Sequence, residues 1–254
     1  MQKLVIALLS AAFVYTWAAN AEEPSFRTQR AAMINTIQMH TRSMSKELGK
    51  DSISAEVLEA MQQTKRHLFV QKRYRFLAYA DRALSIGMGQ TISQPFIVAL
   101  ITELANVKSS DTVLEIGTGS GFQAAVLAKL VRKVCTIEIV RSLGEQAVKR
   151  LADLGYTNVS VRIGDGYKGW PECGPFDAVI VTAALDHVPQ PLIDQLKVGG
   201  RLVMPVGAAA SFQQLTVVQK LGADKIKTRI ITPVAFVPFT QIARIHTVRR
   251  CDHA

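Results

Sequence analysis

The chain has 254 residues, 48% hydrophobic and 20% charged, the balance of an ordinary globular protein, which excludes a disordered or fibrous one. An α/β domain of this size buries about 70–75% of the surface its unfolded chain exposes, so it needs no disulfide or metal staple to hold a core. The formal charge is +10, yet the lysines and arginines are scattered, so charge alone assigns no nucleic-acid, membrane or acidic partner.

At the amino terminus Lys3 precedes an apolar run from Leu4 to Trp17, then Ala19-Asn20-Ala21 and acidic Glu22-Glu23. That order is the layout of an export signal over residues 1–21, cut after Ala21. The run is too short to cross a bilayer as a helix, and no other segment approaches spanning length. Cleavage removes only Lys3 from the charge count, so the mature chain stays basic.

From about Phe26 to Ala80 the pattern reads as helical, with Val57, Leu58 and Met61 on one apolar stripe behind Ser54 as a cap. Residues 22–110 are therefore expected to form an N-terminal helical layer. From Asp111 strands alternate with helices: strand Thr112 to Ile116, helix Gln123 to Leu130, strand Val134 to Ile137. A helix follows with Leu143, Ala147, Leu151 and Leu154 on one face and Gly155 as its stop. Val159, Val161 and Ile163 alternate as a strand, Ala178 to Val181 is a buried strand, and Pro191 to Leu196 a short helix. Such alternation implies a parallel sheet. After Gly199-Gly200 the segments Leu202 to Val206, Leu215 to Val218 and Ile226 to Ile231 read as consecutive strands, which predicts antiparallel pairs at one edge. The core is thus expected over 111–240, with a basic tail at 241–254 that carries Arg244, Arg249 and Arg250.

Three cysteines, Cys135, Cys173 and Cys251, cannot all pair within one chain, and their spacing shows no disulfide framework. It also lacks the C-x-x-C or histidine pairs of a zinc site, so no metal is expected.

The strongest local signal is Val113-Leu-Glu115-Ile-Gly117-Thr-Gly119-Ser-Gly121, a strand entering a glycine turn and then a helix. Glycines let the backbone approach a ligand closely, and in open α/β sheets the site lies beyond the carboxyl ends of the strands. Its G-x-G-x-G spacing departs from the G-x-G-x-x-G that sets a helix end against a pyrophosphate, so a nucleotide-like ligand without phosphates fits better. Glu138 ends the second strand, where a carboxylate accepts both ribose hydroxyl protons or simply stands solvated. Asp165, in Gly164-Asp-Gly166 after the third strand, either reaches an adenine amino group or makes an ordinary turn. Glu115 is a ligand contact or a helix cap. Ser93, in Thr91-Ile-Ser93-Gln-Pro95 before an apolar helix, reads locally as an N-cap.

Beyond these local readings the chain resembles the protein-L-isoaspartate O-methyltransferase family from roughly Arg30 to Thr240. The resemblance rests on Arg66-His-Leu-Phe69-Val70, Ala78-Tyr79-Ala-Asp81, Ile86-Gly-Met-Gly-Gln90-Thr-Ile-Ser93-Gln-Pro95, the Glu115 to Gln123 loop, Gly164-Asp-Gly166, Pro175-Phe-Asp177, Thr182-Ala-Ala184, Gly199-Gly-Arg-Leu202, Pro205-Val-Gly207 and Phe236-Val-Pro238. The Gly-Gln-Thr-Ile-Ser-Gln-Pro string is the most specific of these.

Such a resemblance implies a seven-stranded, Rossmann-like methyltransferase sheet with helices on both faces and a reversed final hairpin. It implies S-adenosylmethionine as cofactor, held by Gln90, Thr91, Ile92, Glu115, Gly117, Thr118, Gly119, Gly121, Glu138, Asp165, Gly166 and Thr240. Ser93 becomes the active-site hydroxyl, and Phe69, Val70, Tyr79 and Asp81 lie on the substrate side. The implied acceptors are isoaspartyl-containing proteins and peptides, for a monomer without nucleic acid.

Two departures stand out. Gln71 replaces the family's proline, with Arg73-Tyr-Arg-Phe76 following, and Phe122 replaces a commoner tyrosine. A nucleic-acid methyltransferase would need an Asn/Asp-Pro-Pro-aromatic group where Thr182-Ala-Ala184 stands, and shows no basic aromatic face. An exported, non-catalytic binding protein on the same fold is the other alternative. Location divides the expectations: the family and its cofactor supply imply cytoplasm, whereas residues 1–21 imply export.

Overall fold

The computed structural model describes residues 24–208 and 212–240. The export-signal segment, the basic tail and Cys251 lie outside the described residues.

Three helices open the described chain: α1 (Pro24–Ser43), α2 (Ser45–Leu48) and α3 (Ala55–Gln63). The expected helical stretch is thus broken, and beyond Gln63 only short 3-10 turns, Arg66–Leu68 and Lys72–Leu77, precede a hairpin of β1 (Leu84–Gly87) and β2 (Gln90–Ile92). Ser54 does occupy the position before α3, but its hydroxyl donates to Glu103 Oε2 at 2.6 Å and does not cap the helix. Val57 and Met61 are buried, whereas Leu58 is half-buried. Helix α4 (Pro95–Ala105) then packs on α1 and α3.

The core alternates β3 (Thr112–Ile116), α5 (Phe122–Ala128), β4 (Lys133–Glu138), α6 (Arg141–Asp153), β5 (Val159–Ile163), β6 (Phe176–Val181) and α7 (Gln190–Asp194). It ends in three long strands, β7 (Leu196–Val206), β8 (Gln213–Lys220) and β9 (Ile226–Val234). The sheet order is β5-β4-β3-β6-β7-β8-β9. Pairs up to β6–β7 are parallel, and β7–β8 and β8–β9 are antiparallel, as the loss of helices after Gly200 predicts.

Alternation along the strands divides the core in two. Val113, Val134, Ala178, Ile180 and Val203 face the cluster shared with α1 and α3–α6. Leu114, Ile116, Cys135, Val179 and Leu202 face a smaller one closed by α7 and the β5–β6 crossover. Helices therefore cover both faces, unequally. That crossover brings Cys173 beneath β4, where its sulfur bonds to that of Cys135 with the Cα atoms 6.6 Å apart. The absence of a disulfide framework expected from spacing is thereby corrected, because only the sheet makes residues 38 apart neighbours. Among the described residues no helix is long and apolar enough to cross a membrane.

Candidate active site

The chain runs β3, β4, β5 outward and then returns to place β6 on the other side of β3, so a crevice opens at the carboxyl ends of these strands. A cavity fills it, lined by Gly117 after β3, Glu138 at the end of β4, Gly164 and Gly166 after β5, and Thr182 after β6. Gln90, Thr91, Gly119 and Thr240 line the same cavity.

The floor is built without side chains. Gly117 has φ 97°, and a Cβ there would strike Thr182 Oγ1. That hydroxyl donates to Gly117 O at 2.8 Å and Ile116 O at 3.0 Å, pinning the glycine loop to the end of β6. At Gly166 a Cβ would strike Ile116 Cγ2, so the opposite wall is also kept thin.

The three acids differ in their surroundings. Glu138 is 5% exposed and accepts from the backbone N–H of Gly119 at 2.7 Å and of Val140 at 2.9 Å, so it is no solvated strand end. Fixed on both oxygens, it keeps free lone pairs on the cavity side. Asp165 accepts from Tyr167 N–H at 2.9 Å, the bond of an ordinary turn, and the cavity lining passes from Gly164 to Gly166 without it. Glu115 caps no helix. It is fully buried within β3, accepts from Thr136 Oγ1 at 2.6 Å through Oε2, and leaves Oε1 without a partner. Burial pushes its carboxyl up to about 8, against the Thr136 bond, and the nearby Glu138 charge adds to the rise.

Ser93 is not the helix cap. The N-cap position of α4 belongs to Gln94, and the capping is done by Asp81, whose Oδ1 accepts from Phe96 N–H at 2.8 Å. Its Oδ2 accepts from Gln94 Nε2 at 3.2 Å and lies 3.0 Å from His40 Nδ1. Released from that task, Ser93 lines two cavities. One continues the crevice inward with Ile92, Glu115, Thr118 and Gln123. The other opens outward between Gln94, Ile97, Phe236 and Val237. Thr91 and Thr182 border both, so the two cavities meet at three hydroxyls.

Four other expected positions serve different ends. Phe69 and Val70 are buried and line a separate cleft with Gln71, Met88 and Arg150, on the far side of Gly119. Tyr79 is buried, its hydroxyl hydrogen-bonded with His67 Nδ1 at 2.7 Å, and Asp81 is spent on α4. None of the four borders the outward cavity at Ser93. Thr118 shares a 2.6 Å bond with Thr136, and Gly121 starts α5 with Leu151 3.3 Å from where a Cβ would stand. Phe122 is buried edge-on to Phe69 and beneath the Arg66 guanidinium, 4.9 Å from its ring.

Thr182 and Phe236, read from sequence only as parts of matching motifs, and Phe239 were not named there as site residues, yet they line these cavities. The strand-end rule that singles out Glu138 points equally to Thr182, the first residue past β6. Among the described residues no three His, Cys, Asp or Glu side chains gather as a metal site.

The chain is similar to known proteins over most of its length. The family model for protein-L-isoaspartate(D-aspartate) O-methyltransferase matches residues 39–244. A protein-L-isoaspartate O-methyltransferase 2 from Syntrophobacter fumaroxidans is 51% identical over 237 residues, 93% of this chain and 95% of that one. A protein of the same description from a Polaromonas species is 54% identical, over 82% of this chain and 99% of that one. Among solved structures, a protein-L-isoaspartate O-methyltransferase superposes with a TM-score of 0.73 at 28% identity, covering 86% of this chain and 70% of the other. A putative one from Plasmodium falciparum, in complex with S-adenosyl-L-homocysteine, gives 0.66 at 25% identity, covering 79% and 98%. On a match this broad, joined to the glycine-floored crevice and the hydroxyls at its mouth, the chain belongs to the protein-L-isoaspartate O-methyltransferase family.

Proposed function

We propose that the crevice holds S-adenosylmethionine and that Ser93 steers the carboxylate of an L-isoaspartyl residue to it from the outward cavity, so that damaged proteins are methylated for repair. The observation that carries this reading is the meeting of two cavities at Thr91, Ser93 and Thr182. The residues present fit the donor: Gly117 and Gly166 present bare backbone to the cavity, packed too closely on Thr182 and Ile116 to carry a Cβ, Glu138 offers fixed acceptor oxygens for a ribose, and Glu115 holds an orphaned oxygen beside the inner cavity. When bound, the sulfonium supplies an electrophilic methyl group.

Little else is required. A free side-chain carboxyl has a pKa of ~4, so the acceptor arrives ionised and needs no general base. One of its oxygens takes the methyl carbon while the carbon–sulfur bond breaks and its electron pair stays on sulfur. The chain contributes alignment, a hydroxyl donor to the acceptor carboxylate, and a crevice that limits water. The ester formed cyclises to a succinimide that reopens in part to normal aspartate. In this role Thr240 borders the donor, Gln90 and Thr91 close the crevice from the hairpin side and Ile92 lines its inward continuation, while Asp165 stays in its turn outside the lining. The protein acts as a monomer on peptide, not nucleic acid.

Replacing Ser93 with alanine should lower kcat/KM for an isoaspartyl peptide by roughly 10–100-fold, the worth of one orienting hydrogen bond to a charged group. Affinity for S-adenosylhomocysteine should stay within about twofold. Unchanged turnover would contradict the role of Ser93.

Export belongs to the same proposal. It is supported by the signal layout of residues 1–21 and by the Cys135–Cys173 bond, since disulfides persist in oxidising compartments. Native protein isolated without reductant should begin at Glu22 and, once unfolded, still resist alkylation at Cys135 and Cys173. An intact Met1 with two free thiols would place the enzyme inside the cell.

A further inference from the structure

The outward cavity has a chemistry that the donor site does not explain. Hairpin β1–β2, the start of α4 and the end of β9 with residues 235–237 enclose it; it shares Thr91 and Thr182 with the donor crevice, and Ser93 as well with the crevice's inward continuation. Among the described residues none of the side chains lining it is charged, in a chain of formal charge +10. Asp81, behind Gln94, is already committed to Phe96 N–H, Gln94 and His40. Two phenylalanines flank the opening. Phe236 is half-buried, its backbone N–H held by Gln213 Oε1 at 2.8 Å, and Phe212 stands 76% exposed. An aromatic ring left in water at the mouth of a cavity marks a surface that a partner covers.

We propose that this cavity selects isoaspartyl sites with an apolar side chain next to the damaged residue, and that Phe212 and Phe236 are the specificity-determining residues. The inference rests on the acceptor assignment made above. Once the isoaspartyl carboxylate reaches Ser93, the neighbouring residue of the peptide lies in the same cavity. An apolar side chain there covers both rings and gains free energy in proportion to the area removed from water. A lysine or glutamate in that place loses hydration and finds no opposite charge among the lining side chains.

The test uses the mature enzyme and matched peptides that differ only in the residue before or after isoaspartate, set to Phe, Leu, Ser, Lys or Glu. At one of the two positions kcat/KM for Phe and Leu should exceed that for Lys and Glu by about tenfold or more, the factor that ~1.4 kcal/mol gives. Phe212→Ala and Phe236→Ala should each reduce that ratio to within about threefold while S-adenosylhomocysteine still binds, which shows the variants to be folded. Equal rates across the wild-type panel, or a preference unchanged in both variants, would overturn the proposal. Donor binding without transfer to any peptide would overturn the acceptor assignment and this inference with it. Slow but measurable transfer that ignores the flanking residue would strike the inference alone.

Discussion

Glu115 shows how one residue can work against the stability of the domain it serves. Its carboxyl sits in β3 with one oxygen on Thr136 and the other orphaned, and burial raises it from 4.5 to about 8. Between those two values the folded chain keeps a proton that the unfolded chain has lost. Stability therefore drains away as pH rises through that window, at a limiting slope of about 1.4 kcal/mol per unit for this single group. Glu115→Gln keeps an acceptor for Thr136 and has nothing to titrate. In denaturant titrations wild type should therefore lose stability relative to the glutamine variant as pH goes from 5 to 8. A difference between the two proteins that stays constant over that range would show Glu115 to be ionised in the fold. Glu138 differs in having a backbone N–H group on each oxygen, and a residue so satisfied can be fixed for ligand contact without loss of the fold.

Elements were legible in proportion to their length and the distinctness of their ends. Strand β3 is an apolar run stopped by glycine, and the structure returns it with the bounds read from sequence. The crossovers and the antiparallel edge were equally plain, because the switch from alternating helices to consecutive strands after Gly200 needs no tertiary information. Hairpin β1–β2 was missed. It alternates Leu84 and Ile86 inward against Ser85 for only four residues, then turns through Gly87, Met88 and Gly89 at positive φ, too brief for periodicity to register. That omission mattered, since the hairpin carries Gln90 and Thr91 to the crevice and leads into Ser93. Capping failed for a different reason. Ser54 and Ser93 both stand near helix starts with the right chemistry, but Ser54 turns to Glu103, and α4 is capped by Asp81 from 15 residues away. Local sequence offers the donor and cannot say which acceptor wins. Phe69, Val70, Tyr79 and Asp81, expected on the substrate side, are buried or paired with distant residues and do not line the outward cavity, which no local pattern foretells.

At the scale of the molecule, the excess of basic residues does not reach the chemistry. Among the described residues, side chains at the crevice and the cavity beyond it are carboxylates, hydroxyls, amides and apolar groups, a surrounding that suits a cationic sulfonium and a peptide carboxylate held by hydrogen bonds. The fold gathers that set from four strand ends and one hairpin, so the account stands or falls with the donor crevice. Calorimetric titration of the purified mature protein with S-adenosylhomocysteine, alongside Glu138→Ala, tests it most directly. Saturable one-to-one binding that weakens roughly 10–100-fold in the variant is the expected result, the worth of charge-assisted hydrogen bonds. No binding to the wild type, or equal binding to both proteins, would contradict the account.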